Sequence, residues 1–306
     1  MLSAKVLRRA FATAHAGGNK VAFIGLGNMG LPMSSNLMKA GFTVTGFDID
    51  ASRRKMASEA GIKTTESIKD AVADADWIVT SLPKTEHVES VLFQEGGLFE
   101  CARKGTYIMD TSTISPPKSA SFNAEATKHD LVFLDTPVSG GTPGAIAGTL
   151  TFMVGGEKEQ FEHIMPVMKG MGKNFYHCGK PGSGEVAKLT NNLTFAIEMI
   201  GTAEGIALGE KLGIDAKVLT DIISTSTGRC FSLTGYHPKP GIMESARSSH
   251  NYTGGFMTCL VKKDLSLAIE AANSAGALSD FSQKAIDYYS DMERKGAGNK
   301  DFSFVY

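Results

Sequence analysis

Val21-Ala22-Phe23-Ile24-Gly25-Leu26-Gly27-Asn28-Met29-Gly30 decides the fold of this chain. Four apolar residues read as a buried strand, and a glycine loop follows at once. Met29, Met33 and Leu37 then recur at four-residue spacing, the spacing of one helix face. Pro32 falls in the first helical turn, where a missing N–H costs little, and Gly41 suits a stop after Ala40. Thr43 to Asp48 reads as the next strand. A GxGxxG hexapeptide alone says little. Strand, loop, helix and strand within about 30 residues is the context that gives it meaning.

In such a turn the first glycine permits the tight bend, the second lets a pyrophosphate approach the backbone, and the third allows close helix–strand packing. The helix N-terminus supplies free N–H groups and a positive dipole end for the phosphates. Cofactor-binding residues are therefore expected at Gly25, Leu26, Gly27, Asn28, Met29 and Gly30, with Phe47 and Asp48 at the end of the second strand. Asp48 lies 18 residues after Gly30. Its carboxylate can accept from both ribose hydroxyls of NAD. At about 4 Å it would repel the 2′-phosphate of NADP by several kcal/mol. NAD is the expected cofactor. Arg53 and Arg54, which could hold a 2′-phosphate, read as a solvated helix face.

The alternation continues downstream. Trp77–Thr80, Thr106–Met109, Leu131–Leu134, Leu150–Val154 and Asn174–His177 read as strands separated by helix-like or loop segments. After Gly184 the pattern changes. Leu189, Leu193, Ala196, Ile197, Ile200, Ala207 and Leu208 keep helical spacing for about seven turns. Further helices are expected over Asp215–Thr225, Thr258–Ala275 and after Ser279. The fold class is α/β: a Rossmann-type, doubly wound, mostly parallel sheet followed by an all-helical C-terminal domain. The expected domains are residues 20–182 and 183–306, with the boundary at Pro181-Gly182-Ser183-Gly184. The Gly/Ser/Pro/His-rich segment from Thr227 to Gly255 reads as a long connection.

Composition sets the outer limits. The 306 residues leave room for two domains, and 42% hydrophobic with 21% charged residues is ordinary for a globular protein. A net charge of −1 argues against a general nucleic-acid surface, and no apolar run reaches membrane-spanning length. The four cysteines are far apart and the seven histidines form no ligand motif, so no metal is expected. Residues 1–47 hold no Asp or Glu, yet Lys5, Arg8 and Arg9 would share one side of a helix, opposite Leu2, Val6, Leu7, Ala10 and Phe11. Basic, acid-free and amphipathic is the pattern of a mitochondrial transit peptide. Residues 1–19 are set aside from the fold on that reading, with a mitochondrial matrix location expected.

A second stretch carries the chemistry. Gly182-Ser183-Gly184-Glu185-Val186-Ala187-Lys188-Leu189-Thr190-Asn191-Asn192 puts Lys188 and Asn192 one helical turn apart on one face. A lysine can pass a proton, and an asparagine can orient a hydroxyl or carbonyl. An amine with the ordinary value of about 10.4 is a poor base at neutral pH; burial and a second positive charge would both improve it. Ser139-Gly140-Gly141 offers successive backbone N–H groups with little side chain in the way, a nest that can accept a carboxylate.

Four segments in order carry a family resemblance: Phe23 to Met33, Asp135-Thr136-Pro137-Val138-Ser139-Gly140-Gly141, Gly182 to Asn192, and Lys262-Lys263-Asp264-Leu265. Over residues 20–306 the chain resembles the β-hydroxyacid dehydrogenases. The resemblance implies NAD-linked oxidation of (S)-3-hydroxyisobutyrate to methylmalonate semialdehyde in valine breakdown. It implies Lys188 as the catalytic base, with Asn192 beside the substrate and Ser139, Gly140 and Gly141 on its carboxylate. It places Leu82, Pro83, His87, Thr113 and Lys263 against NAD. Two positions depart from the family pattern: His87 stands where relatives commonly carry Asn, and Phe231 where they often carry Trp. A small-molecule β-hydroxy acid is the expected partner, with no nucleic acid and no membrane, and a homo-oligomer is expected from the family. Two other functions fit the residues less well. One is a sister reductase of glyoxylate or short semialdehydes. The other is a non-catalytic, dehydrogenase-like binding module.

Overall fold

In the computed structural model, residues 18–306 are described; the transit segment expected over residues 1–19 falls almost wholly outside them. The described residues form two compact units, one ending at Lys188 and the other running from Leu189 to Tyr306.

The first unit holds nine strands: β1 Lys20–Ile24, β2 Thr43–Phe47, β3 Lys63–Thr64, β4 Trp77–Thr80, β5 Tyr107–Asp110, β6 Val132–Asp135, β7 Val138–Ser139, β8 Leu150–Gly155 and β9 Gly172–Gly179. They lie in the order β3-β2-β1-β4-β5-β6-β8-β7, with β9 paired to β8. β3 through β6 are parallel throughout, and β8 runs antiparallel to β6 and β7. The helices between them are α1 Gly30–Lys39, α2 Ala51–Glu59, α3 Ile68–Val72, α4 Thr85–Phe93, α5 Leu98–Cys101, α6 Pro116–Lys128, α7 Gly141–Ala147 and α8 Lys158–Lys169.

Strand periodicity sends alternate residues to opposite faces, and both faces are covered. Val21, Phe23, Trp77 and Val79 join one core with Met33 and Leu37 of α1. Ala22, Ile24 and Ile78 join the other with Val88 and Leu92 of α4 and Phe122 of α6. Burying each large side chain contributes roughly 1.5–3 kcal/mol. That is why four consecutive apolar residues, and not an alternating pattern, mark β1.

The long helix α9, Ser183–Lys211, runs through 29 residues from the first unit into the second. The second unit continues with α10 Ala216–Ser224, α11 Phe231–Thr234, α12 Thr258–Ala275 and α13 Asp280–Met292. Its core gathers Ala196, Met199, Val261, Leu265, Ala285, Tyr289 and Phe302. Buried Asp301 ties the segment before α12 to the tail: it accepts from the Tyr236 hydroxyl at 2.6 Å and the Phe256 N–H at 2.8 Å. Among the described residues of this unit there is no strand, only an isolated bridge between Met257 and Asp301. No helix of the described residues is long and apolar enough to cross a membrane.

Several short elements depart from the sequence expectation. β3, β7, α7 and α11 are two to seven residues long, too short for any periodicity to register. The expected connection from Thr227 to Gly255 contains α11 and a 3-10 turn at Arg247–His250.

Candidate active site

Strand register brings the expected nucleotide residues to one level. Ile24 is aligned with Phe47 on one side and Thr80 on the other; Thr80 is aligned with Asp110, and Asp110 with Asp135. Gly25, Asp48, Leu82-Pro83 and Thr113 therefore leave the sheet along its carboxyl edge. The strand order reverses between β1 and β4, and ligands of doubly wound sheets bind at such a switch point.

The three glycines each meet a different demand. Gly25 takes φ +95°, and a Cβ there would strike the Ser81 carbonyl. A Cβ on Gly27 would meet nothing within 4 Å, which leaves open room for a pyrophosphate. A Cβ on Gly30 would collide with the Gly25 carbonyl and lie 3.1 Å from Phe23. This chain's own backbone thus fits a dinucleotide. Asp48, just past the end of β2, accepts the Leu26 N–H at 2.7 Å through Oδ2 and the Asp50 N–H at 2.9 Å through Oδ1. The carboxylate is fixed on the glycine loop. Arg53 and Arg54 are more engaged than a solvated face implies. Arg53 Nη1 lies 3.3 Å from Asn28 Oδ1, and Arg54 Nη1 donates to the Asp48 carbonyl at 2.7 Å. His87 is exposed on α4.

Two aspartates to which the sequence assigns no role underlie this edge. Asp110 is fully buried and accepts from the hydroxyls of Thr80 at 2.7 Å and Ser112 at 2.5 Å. Ser112 in turn accepts the Leu82 N–H at 2.9 Å, so Asp110 organises the turns after β4 and β5 together. Burial pushes its carboxyl up to about 6, against the pull of Ser112 and Thr80 and with a further push from Asp135. The folded chain then keeps a proton that the unfolded chain releases near 3.8. The stability this confers is complete below 3.8 and is lost as pH rises through about 6. The span corresponds to about 3 kcal/mol. Asp110→Asn should flatten that part of the profile. Urea midpoints between about pH 4 and pH 7 check it, and an unchanged slope rejects it.

Asp135, at the end of β6, is the second. Its Oδ1 accepts the Gly182 N–H at 2.8 Å and its Oδ2 the Glu185 N–H at 3.1 Å. These N–H groups open α9, where a helix leaves its first donors unsatisfied and favours negative charge. Burial pushes the Asp135 carboxyl up, and the donors at Gly182 and Glu185 pull it back. Glu185, also buried, accepts the Ile114 N–H at 3.1 Å. The first turn of α9 is thus fastened to the edge of the sheet at two points. One turn further on is Lys188, 9% exposed.

Ser139 ends β7, and Gly140 and Gly141 follow with φ +129° and +60°. Both glycines are exposed, and both conformations disfavour a side chain. In the second unit, Asn192 is 5% exposed, and its Nδ2 donates to Asp264 Oδ2 at 2.6 Å. Lys263 Nζ lies 3.0 Å from Asp264 Oδ1. The structure therefore joins the expected pair Asn192 and Lys263 through Asp264, a role the local sequence pattern does not reveal.

Comparison with known proteins agrees with this geometry. Residues 20–179 match the family model of the NAD binding domain of 6-phosphogluconate dehydrogenase. Residues 182–306 match the model described as NAD-binding of NADP-dependent 3-hydroxyisobutyrate dehydrogenase. The chain is 44% identical to an NAD-dependent L-serine dehydrogenase of Pseudomonas aeruginosa, covering 94% of this chain and 96% of the relative. It is also 44% identical to a probable mitochondrial 3-hydroxyisobutyrate dehydrogenase of Dictyostelium discoideum, covering 94% and 89%. Among solved structures, a Mycobacterium tuberculosis 3-hydroxyisobutyrate dehydrogenase with L-serine superposes with a TM-score of 0.88 at 38% identity, over 94% of this chain and 97% of that one. With its glycine turn, its buried lysine and these matches over nearly its whole length, the chain belongs to the β-hydroxyacid dehydrogenases, as an NAD-dependent enzyme of the 3-hydroxyisobutyrate dehydrogenase type.

Proposed function

We propose that this chain oxidises (S)-3-hydroxyisobutyrate to methylmalonate semialdehyde, with Lys188 as general base. The observation that carries the reading is the placement of Lys188. It is buried in the second turn of a helix that Asp135 and Glu185 fasten to the carboxyl edge of the sheet, the edge that also carries the glycine turn. Bound NAD supplies the hydride acceptor. The Lys188 amine takes the hydroxyl proton as the C3 hydride leaves, so the carbinol becomes an aldehyde and the lysine ends protonated. In the reverse direction the ammonium returns the proton. Gly140 and Gly141, with Ser139, hold the substrate carboxylate through backbone N–H groups. Asp48 receives the ribose hydroxyls and sets the preference for NAD.

L-serine is the second reading, favoured by its appearance in the names of one relative and one solved structure. It has the same carboxylate and β-hydroxyl, with an ammonium in place of the methyl at C2. Residues 136–156, which contain the proposed carboxylate cradle, hold no acidic or basic side chain. That stretch supplies no counter-charge for an ammonium, whereas a methyl group needs none. Turnover of both acids, with 3-hydroxypropionate and glycerate as controls and NAD and NADP as cofactors, tests this. We expect kcat/KM for 3-hydroxyisobutyrate with NAD to exceed that for L-serine by about tenfold or more, on the order of the discrimination one small group gives. The reverse order rejects the reading. The acid-free leader supports a matrix location, and a purely cytosolic reporter carrying residues 1–19 would reject that.

A further inference from the structure

The cradle residues Ser139–Gly141 open α7, and α7 is a helix that cannot hold itself in place. It has seven residues, Gly-Thr-Pro-Gly-Ala-Ile-Ala, of which two are glycine and one proline. Isolated helices of this length and composition do not persist in water. Its C-terminal carbonyls need donors. The Gly148 and Thr149 N–H groups serve the Gly144 carbonyl, Thr149 at 2.9 Å, but for the Ala145 carbonyl Gly148, in the left-handed conformation, supplies only a long 3.4 Å contact. The stronger donor comes from 109 residues away: Asn36 Nδ2 donates to the Ala145 carbonyl at 2.6 Å and lies 3.3 Å from the Ile146 carbonyl. Asn36 is 8% exposed and stands on α1, the helix that begins in the dinucleotide turn. Lys39 Nζ donates to Asn36 Oδ1 at 3.1 Å, which fixes which way the amide faces. At the other end of the same pair of helices, Thr142 Oγ1 lies 4.0 Å from Met29 Sδ.

We propose that Asn36 is a positioning residue that bolts the substrate-carboxylate cradle to the dinucleotide helix, so that the two ligands meet at a fixed offset. The proposal rests on the reading of Ser139–Gly141 as the carboxylate cradle. Hydride transfer is sensitive to such an offset, because the reacting atoms must approach to about 3–3.5 Å. If α7 drifts, the carboxylate end of the substrate drifts with it, while the glycine turn on α1 keeps its own backbone contacts.

The test compares Asn36→Ala with Asn123→Ala. Asn123 makes the same kind of bond, from Nδ2 to the Phe133 carbonyl at 2.6 Å, between α6 and β6. Asn36→Ala should raise KM for the β-hydroxy acid about tenfold and lower kcat, with the NADH dissociation constant unchanged within about threefold, since a 1 Å misplacement can cost on the order of 100-fold in rate. Asn123→Ala should lower the melting temperature without moving KM. Lys39→Met, at an exposed position that loses only the amide's orienting partner, should give a smaller rise in KM and covers the case in which Asn36→Ala does not fold. An unchanged KM in Asn36→Ala, or in Lys39→Met if only that variant folds, overturns the proposal. Gly140→Ala separates it from the cradle reading. If Gly140→Ala raises KM and Asn36→Ala does not, the link through Asn36 is wrong. If Gly140→Ala leaves KM unchanged, the cradle itself is misplaced.

Discussion

Lys188→Ala should lower kcat by about 100- to 10,000-fold, the range that a positioned general acid or base contributes. That is about 3–5.5 kcal/mol on the barrier. NAD should bind as before, because the turn proposed to receive it is built from Gly25, Gly27, Gly30 and Asp48, held by bonds to Phe47 and Leu26 in which Lys188 has no share. Lys188→Arg should be no better than alanine, since a guanidinium does not give up its proton in water and cannot act as base. Added methylamine should restore part of the lost rate to the alanine variant by occupying the vacated space as a free amine. A primary isotope effect from deuterium at C3 should grow as the chemical step becomes limiting. The measurements are steady-state turnover with (S)-3-hydroxyisobutyrate and NADH titration by nicotinamide fluorescence. Wild-type turnover in Lys188→Ala would remove the lysine from the mechanism, and lost NAD binding would show that the substitution acts elsewhere.

The features legible in the sequence were those that are local. The glycine turn shows itself within ten residues because its three demands fall on consecutive backbone: the bend at Gly25, the open approach at Gly27 and the close packing at Gly30. The sheet shows itself because β1, β4 and β5 are buried on both faces and so read as short apolar runs with polar residues only at their ends. The long α9 shows itself through sustained helical spacing. The hidden parts depend on contacts across the chain. Asp135 meets Gly182 over 47 residues, and Asn36 meets Ala145 over 109. Nothing in the local pattern of either residue announces its partner. A weak signal did exist for Asp135: a carboxylate at a strand end, in a chain whose longest helix opens at Gly182-Ser183-Gly184, can be read as a cap waiting for a close backbone approach. Asn36 shows no such signal: only its burial in the fold reveals an amide that must find a partner. The task of Asp264 is hidden in the sequence, because only the folded helices bring Asn192 to it beside Lys263.

The second large effect belongs to Gly184, and its sign depends on position along one helix. A Cβ at Gly184 would collide with the Met153 carbonyl and lie 2.8 Å from Asp135 Oδ2 and 2.9 Å from the Gly155 nitrogen. None of these atoms is a flexible side-chain end. Met153 and Gly155 are backbone of β8, and Asp135 is held by the very N–H groups that would have to move. Gly184→Ala must therefore lift the first turn of α9 from its anchor. Overpacking of this kind costs about 1–3 kcal/mol of stability. The kinetic loss should be larger in proportion, because Lys188 rides one turn further along the lifted segment, and a displacement of about 1 Å can cost on the order of 100-fold in rate. Gly201 and Gly205 lie in the same helix with nothing within 4 Å of an added Cβ. There, alanine should stabilise by roughly 0.5–1 kcal/mol through better helix propensity, with turnover unchanged. The same substitution thus tests two claims at once. If Gly184→Ala and Gly201→Ala behave alike in thermal melts and in kcat, the Asp135 anchor does not set the position of Lys188. If Gly184→Ala loses kcat while NADH still binds, the sheet edge holds the lysine in place through that cap.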